Sequence, residues 1–534
     1  MKKLTIILLV SCVTFVAFSA LVQADEAASP NYDIIIENGL IIDGSGAAGY
    51  AADIAISGDT ITAIGDLSTA KANRRLDAKG HIVSPGFIDL HSHSDRNILD
   101  RPDATNNITQ GVTTLLGGNC GGSPVDMAKF MADLEAADLG VNMAMLIGHN
   151  SIRRKVMQRQ NRHATDAEMQ QMIGLVNEAM DAGAFGISTG LIYIPGAYSP
   201  PEETQTLASV VHKHGGFYAS HMRNESKQVL DAVRETVEVS RKTGIGVHIS
   251  HHKAAGPGAW GMSKQTLALI DESRAAGLDV TLDQYPYTAS NTNLGVLFPS
   301  WALAGGKEAF MKRMNDPQMR QKIKAEIIDI ILTQRAGDEL WRIQISRYNT
   351  NPEYEGKTFA DVLKARGLQP TVEQGAELAI EMQMAGGGRG IYHNMNDEDV
   401  ERIMRHPQTA IASDGYGVKW QSGNPHPRSY GTYPRSLAMY VRDKGILTIE
   451  QAVQKMTTIP AQRMKLSDRG QLKVGLKADI AVWDPETIQD RATFTDPHHY
   501  STGMKYVIVN GVTVLSEGMM TENRPGIPLK FAQR

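Results

Sequence analysis

Apolar positions along the chain fall into two patterns. From residue 31 to 82, β-branched runs at 32–43, 52–56 and 60–64 are punctuated by Gly39, Gly44, Gly58 and Gly65, the signature of short strands joined by tight turns. The far end repeats it, with runs at 479–483, 507–509 and 512–514 around Asn510-Gly511. Between them, short apolar runs alternate with segments that read as helices. Eight runs predict strands: 86–90, 112–116, 142–147, 184–188, 216–220, 246–250, 279–285 and 409–413. Helix starts are marked by Thr165-x-x-Glu168 and Ser199-Pro-Pro-Glu202, which read as capping boxes, and helix stops by Gly183, Gly215 and Gly244.

Eight strands alternating with helices are what an α/β fold of the (β/α)8 barrel type requires; a doubly wound open sheet is the structural alternative. The expected organisation is a barrel over 85–465 and a small β-sandwich assembled from 31–84 and 466–534, neither piece looking sufficient alone. One connection is abnormally long. Over a hundred residues separate Tyr287 from Thr409, which predicts an insertion at about 292–390 that either covers the barrel mouth or is a surface excursion. Residues 307–334 within it read as helical.

Composition changes this picture little. Apolar residues make up 42% and charged residues 21% of 534 positions, and the formal charge is −4, too near neutral to point to nucleic acid or to a polybasic membrane contact. Lys2 and Lys3 before an apolar run to Val22, then Val22-Gln23-Ala24, read as a signal peptide over 1–24 and an exported, periplasmic or secreted protein. Leu9-Val10-Ser11-Cys12 offers a lipobox as the alternative. No later run is long enough to span a bilayer. With the leader removed, Cys120 stands alone in an oxidising compartment, either buried and inert or held by something such as a metal.

The strand ends carry the chemistry. Reading them in order gives His91 and His93 one residue apart, Cys120 in a glycine-rich exit, His149, Tyr193, His221, His251, Tyr285 and Asp414. His91 and His93 project to one side of a strand, half of a divalent-metal site. In a barrel such residues converge on one mouth. Arg223 and Lys253 each lie two residues past a strand-end histidine, so alternation points both at that mouth as partners for a substrate carboxylate. His252 and His248 read as packing or hydrogen-bonding residues, and His149 as either structural or supporting.

The blocks Pro85-Gly-Phe-Ile-Asp-Leu-His-Ser-His-Ser-Asp95, Gly117-Gly-Asn-Cys-Gly121, Gly186-Ile-Ser-Thr-Gly-Leu-Ile-Tyr193, Ser220-His-Met-Arg-Asn-Glu225, Ile249-Ser-His-His-Lys253, Asp283-Gln-Tyr-Pro-Tyr287, Ser413-Asp-Gly415 and His426-Pro-Arg428 resemble the amidohydrolase superfamily, and within it the D-aminoacylases, or N-acyl-D-amino-acid deacylases. The resemblance implies a barrel with a β-sandwich built from both termini. It implies zinc held by Cys120, His221 and His251, with His91, His93 and Asp414 around a second, weaker position. Many relatives carry a carboxylated lysine at the fourth strand end; here Ser188-Thr189-Gly190 has none, and Cys120 would supply the anionic ligand. The resemblance also adds Tyr285 and Arg428 to the carboxylate clamp.

The expected reaction is hydrolysis of an N-acyl-D-amino acid by a zinc-activated water, with Asp414 as general base and then acid and Tyr193 helping to polarise the amide carbonyl. Alternatives on the same scaffold are a dipeptidase for C-terminal D-residues, which would take a D-dipeptide, or a cyclic-amide hydrolase. A non-catalytic exported zinc-binding protein is the alternative of another class. Asn291 falls where D-aminoacylases carry a small hydroxyl residue, which leaves the side-chain preference open.

Overall fold

The computed structural model describes residues 31–531 together with Met1, so the expected leader and Cys12 lie outside the described residues. No helix among the described residues is long and apolar enough to cross a membrane.

The first strands, β1 (Asn31–Ile41), β2 (Tyr50–Ser57), β3 (Thr60–Gly65), β4 (Lys71–Asp77) and β5 (Ile82–Pro85), join a sheet with strands from near the other end of the chain. β1 pairs with β4 through its first half and with β5 through its second, and its ladder with β2 shifts register between Ile36 and Gly39. This small unit has its own core, in which Ile36, Ile54, Ile56 and Val83 pack with Ile480, Val482 and Ile508.

The chain leaves β5 through Gly86 and enters the barrel. Its strands are β6 (Phe87–Asp89), β7 (Val112–Gly117), β8 (Asn142–Met145) continued by β9 (Ile147–Gly148), β10 (Gly186–Gly190), β11 (Phe217–His221), β12 (Val247–Ile249), β13 (Val280–Gln284) and, after the insertion, β17 (Thr409–Ile411). Their pairings are parallel throughout. The ends close where Ser92 bridges Gly415 and His93 N donates to Gly415 O at 2.8 Å. Every expected barrel strand is present. Parallel strands are covered on both faces, so β7 is buried along its whole length. Neighbouring residues go to different cores: Leu115 packs with Ile152 and Val176 from flanking helices, Leu116 with Ile88, Ala144, Phe217 and Ala219 from other strands.

Thr165 caps its helix reciprocally with Glu168. Ser199 does not cap: its hydroxyl donates back to Gly196 O, and the helix begins one residue later than expected, at Pro201. The insertion carries its own antiparallel sheet of β14 (Ser290–Asn293), β15 (Ile343–Arg347) and β16 (Arg389–Tyr392) in the order β14-β16-β15. Its helical stretch breaks at Asp316, which caps the helix Pro317–Ile330. The C-terminal part supplies β18 (Ile480–Trp483), β19 (Met504–Val509), β20 (Val512–Ser516) and β21 (Met519–Met520) to the first sheet, giving the order β21-β20-β19-β18-β5-β1-β2-β3 with β4 beside β1.

Candidate active site

The residues at the C-terminal strand ends are held by backbone as much as by side chains. Asp414 N donates to His91 O at 2.7 Å, tying the first barrel strand's exit to the last. Beneath them Asp89 accepts from Ser413 N at 3.0 Å and from the Ser413 hydroxyl. The glycines around Cys120 are required by close approach: at Gly118, with φ +75°, an added Cβ would lie 2.0 Å from Leu146 O. Cys120, His251 and Asp414 themselves have φ of 53°, 37° and 47°. For residues with side chains this left-handed region costs on the order of 1–3 kcal/mol each, and such strain clusters at functional sites.

Two groups of donor atoms result, each with its atoms within 4.8 Å of one another: His91, His93, Cys120 and Asp414, and Cys120, His221 and His251. Cys120 Sγ belongs to both, 3.3 Å from His91 Nε2 and 3.5 Å from His251 Nε2. His93 Nε2 is 3.0 Å and His91 Nε2 3.7 Å from Asp414 Oδ1. Tetrahedral zinc with one sulfur and two nitrogens has S–N edges of ~3.6 Å and N–N edges of ~3.4 Å. The sulfur contacts fit; His251 Nε2 and His221 Nδ1, at 2.6 Å, would have to part. His221 Nε2 and His93 Nδ1 are buried without hydrogen-bond partners, and a thiolate with imidazoles and a carboxylate is a donor set that suits zinc. The residues present therefore fit a divalent ion.

Charge balance agrees. Burial would push the Cys120 thiol up, yet His91, His251 and His221 hold it well below its ordinary value. Burial keeps His221 low and neutral. Burial lowers His91 too, but Asp283, Cys120 and Asp414 raise it well above the usual imidazole range, which marks an excess of negative charge. Asp414 stays well below the carboxylate range despite burial, chiefly because of Arg428 and His91.

Two carboxylates that lie within the sequence motifs sit behind the site. Asp283 Oδ2 accepts from His91 Nδ1 at 3.0 Å and His248 Nε2 at 2.8 Å, while its Oδ1 accepts from His251 N at 2.8 Å. Glu225 Oε1 lies 2.9 Å from His251 Nδ1 and accepts from Lys253 Nζ at 2.6 Å. Each orients a candidate ligand from behind.

Lys253 and Arg428 lie 5.6 and 4.6 Å from the ring centre of Tyr285, whose buried hydroxyl has no partner. Arg428 Nη1 is 2.9 Å from Asp414 Oδ2. Arg223 is not brought into this cluster: its guanidinium is committed to Glu235 at 2.8 Å and to the carbonyls of Ala197 and Ser199. Tyr193 stands beside the second group, its ring 4.6 Å from that of His221 and its hydroxyl 2.9 Å from Thr292 Oγ1. His149 is turned away into a buried ion cluster with Glu203 and Arg153. His252 bonds Thr266. His93, Cys120, Tyr193, His221, His251, Lys253, Tyr285 and Asp414 open on one cavity of about 1300 Å³, lined also by Asn291, Thr292, Arg335 and Arg389 of the insertion region; His91 and Arg428 are buried and do not line it.

A parallel eight-stranded barrel whose strand exits gather a thiolate, imidazoles and a carboxylate defines a metal-dependent hydrolase. Residues 74–515 match the amidohydrolase family, and the chain belongs to that family. It is 37% identical over 524 residues to the D-aminoacylase of Alcaligenes xylosoxydans xylosoxydans, covering 94% of this chain and 98% of the relative. It is also 37% identical over 516 residues to the N-acyl-D-glutamate deacylase of the same organism, covering 92% and 96%. Among solved structures, the N-acyl-D-glutamate deacylase of Bordetella bronchiseptica, complexed with zinc and a phosphonate mimic of the reaction's tetrahedral intermediate, aligns with a TM-score of 0.81 at 34% identity, covering 94% of this chain and 100% of that one. The resemblance read from the motifs is thereby borne out.

Proposed function

We propose that the protein hydrolyses the amide bond of N-acyl-D-amino acids to a carboxylate and a free D-amino acid. The observation that carries this reading is the placement of Cys120, His221 and His251 in one cavity with Asp414, Lys253 and Tyr285, with Arg428 against the Tyr285 ring and paired with Asp414. The deacylase relatives support the D-amino-acid substrate. Cys120, His221 and His251 would hold the tight zinc, and His91, His93 and Asp414, with Cys120 shared, a weaker second position. When bound, zinc supplies positive charge that lowers the pKa of a water to about 7 and polarises a carbonyl.

The chain's own groups do the rest. Asp414, ionised and held through Oδ2 by Arg428, presents Oδ1 to take the water's proton and return it to the leaving nitrogen. Burial keeps the Tyr193 hydroxyl protonated, so it can donate to the carbonyl oxygen as negative charge develops there. Lys253, Arg428 and the free Tyr285 hydroxyl receive the substrate α-carboxylate, which would be costly to bury unpaired.

The test is a panel of N-acetyl-D- and N-acetyl-L-amino acids assayed after zinc is restored. Turnover of the D forms and not of the L forms is expected; equal turnover of both, or of neither, would overturn the reading. A dipeptidase acting on C-terminal D-residues is favoured by one observation, the size of the cavity, and glycyl-D-amino acids added to the panel decide it. The leader over 1–24 supports export, which N-terminal sequencing of the mature protein would check.

A further inference from the structure

Beside the metal ligands lies a pair of cations that the proposed reaction does not use. The Tyr416 ring stacks on that of His93 with centroids 5.3 Å apart. Arg389, which opens β16 in the insertion, has its Cζ 4.8 Å from the Tyr416 ring centre. It donates through Nη2 to the Tyr416 hydroxyl and, at 3.0 Å, to Asn291 Oδ1. Arg96, from the turn after β6, approaches the same ring at 5.5 Å. Both line the cavity that holds the metal ligands.

Three other cations near this centre each have an acid beside them. Lys253 is paired with Glu225, Arg428 with Asp414 and Arg223 with Glu235. Among the described residues neither Arg96 nor Arg389 has a carboxylate oxygen within 4.0 Å, and the Arg96 guanidinium makes no hydrogen bond. Two guanidinium groups at one aromatic ring, neither with a carboxylate, are donors suited to an anion, and charge-assisted hydrogen bonds of this kind are the strong ones. Arg389 is moreover pinned by Asn291 and Tyr416, so little freedom remains to be lost when it binds. A pair of merely solvated surface arginines would not be fixed in this way.

Asn291 also says which part of a substrate lies here. Its backbone oxygen accepts from Arg428 Nη2 at 3.4 Å, and its side-chain oxygen accepts from Arg389. Arg389 is therefore one residue away from Arg428 of the cluster that receives the α-carboxylate, and Arg96 approaches the same Tyr416 ring as Arg389. We propose that Arg96 and Arg389 form a second anion-binding subsite, which takes the side-chain carboxylate of N-acyl-D-glutamate or N-acyl-D-aspartate. This rests on the deacylase reading above and narrows it to acidic substrates.

The test uses the full-length, zinc-restored enzyme with N-acetyl-D-glutamate, N-acetyl-D-aspartate, N-acetyl-D-glutamine, N-acetyl-D-leucine and N-succinyl-D-leucine, zinc content being measured for every variant. A site built to bond a charged group discriminates strongly against an analogue without it, so kcat/KM for the better acidic substrate should exceed that for the glutamine analogue by roughly tenfold or more. Whichever of glutamate and aspartate is faster fixes the length of the subsite. Arg389→Met and Arg96→Met should bring the ratio near unity, and Arg389→Lys should retain part of the preference. A wild type that prefers glutamine or leucine would overturn the subsite, as would variants that lose acidic and neutral substrates equally. Preference for N-succinyl-D-leucine over the acidic residues would place the anion on the acyl side and overturn it too. Neutral D-substrates turned over without acidic preference sink only the subsite; no turnover of any acyl-D-amino acid sinks the deacylase reading itself.

Discussion

Replacing Asp283 by Asn tests whether the site is organised from behind. The carboxylate is fully buried and takes three hydrogens, from the rings of His91 and His248 and from the backbone of His251. Because it accepts at His91 Nδ1, it fixes the tautomer that leaves Nε2 facing Cys120 and Asp414. An Asn side chain can accept from His251 N with its oxygen, but its NH2 then meets two ring N–H groups. One imidazole must change tautomer or lose its partner, and an unmet buried donor costs about 1–3 kcal/mol. Loss of such a supporting group typically weakens metal binding 10–100-fold, about 1.4–2.8 kcal/mol. Zinc affinity by chelator competition, paired with thermal melting of the metal-free form, reads the two effects separately. Zinc affinity within a factor of about two of wild type would refute the reasoning, since tenfold is the least such a support should contribute.

Two further outcomes are expected. Arg428→Ala should raise KM for N-acyl amino acids about 10–100-fold, the worth of a charge-assisted hydrogen bond, and change KM far less for an amide lacking the carboxylate; equal effects would remove Arg428 from the clamp. Burial, with Arg342 nearby, lowers His393 to about 4 in the folded protein. A depressed histidine contributes stability that is complete above about pH 6.5 and is lost as pH falls from there through about 4, so at pH 5.5 the loss is about 1.3 kcal/mol. In urea unfolding at pH 7.5 and 5.5, His393→Gln should show a pH-dependent loss smaller by that amount, and an unchanged difference would contradict the assignment.

How much of this could be read in advance follows from local physics. Parallel barrel strands are buried on both faces, so short β-branched and apolar runs such as 112–116 between Gly111 and Gly117 stand out and the barrel could be counted out. The ligand histidines were legible for a related reason: each sits where a strand ends, and barrel topology brings strand ends together. Arg223 lines the cavity, as alternation suggests, but its guanidinium is already committed. After His221 the chain leaves β11, and the Arg223 side chain turns to Glu235 on a flanking helix. The roles of Asp283 and Glu225 are not legible in sequence because a lone acidic residue in a motif looks like a solvated one. Their partners, His91 and His248 for the first and Lys253 for the second, come from other strands and are visible only in three dimensions. Ser199 resembled a cap, but two prolines follow it, and the helix takes Pro201 as its first residue.

Zinc K-edge absorption on the purified, zinc-loaded protein asks the most direct question of the centre. A sulfur scatterer at about 2.3 Å, absent in Cys120→Ala, is the result required if this thiolate anchors the ion. A shell of nitrogen and oxygen alone in the wild type would mean that Cys120 does not bind the metal, and the proposed centre would fall with it.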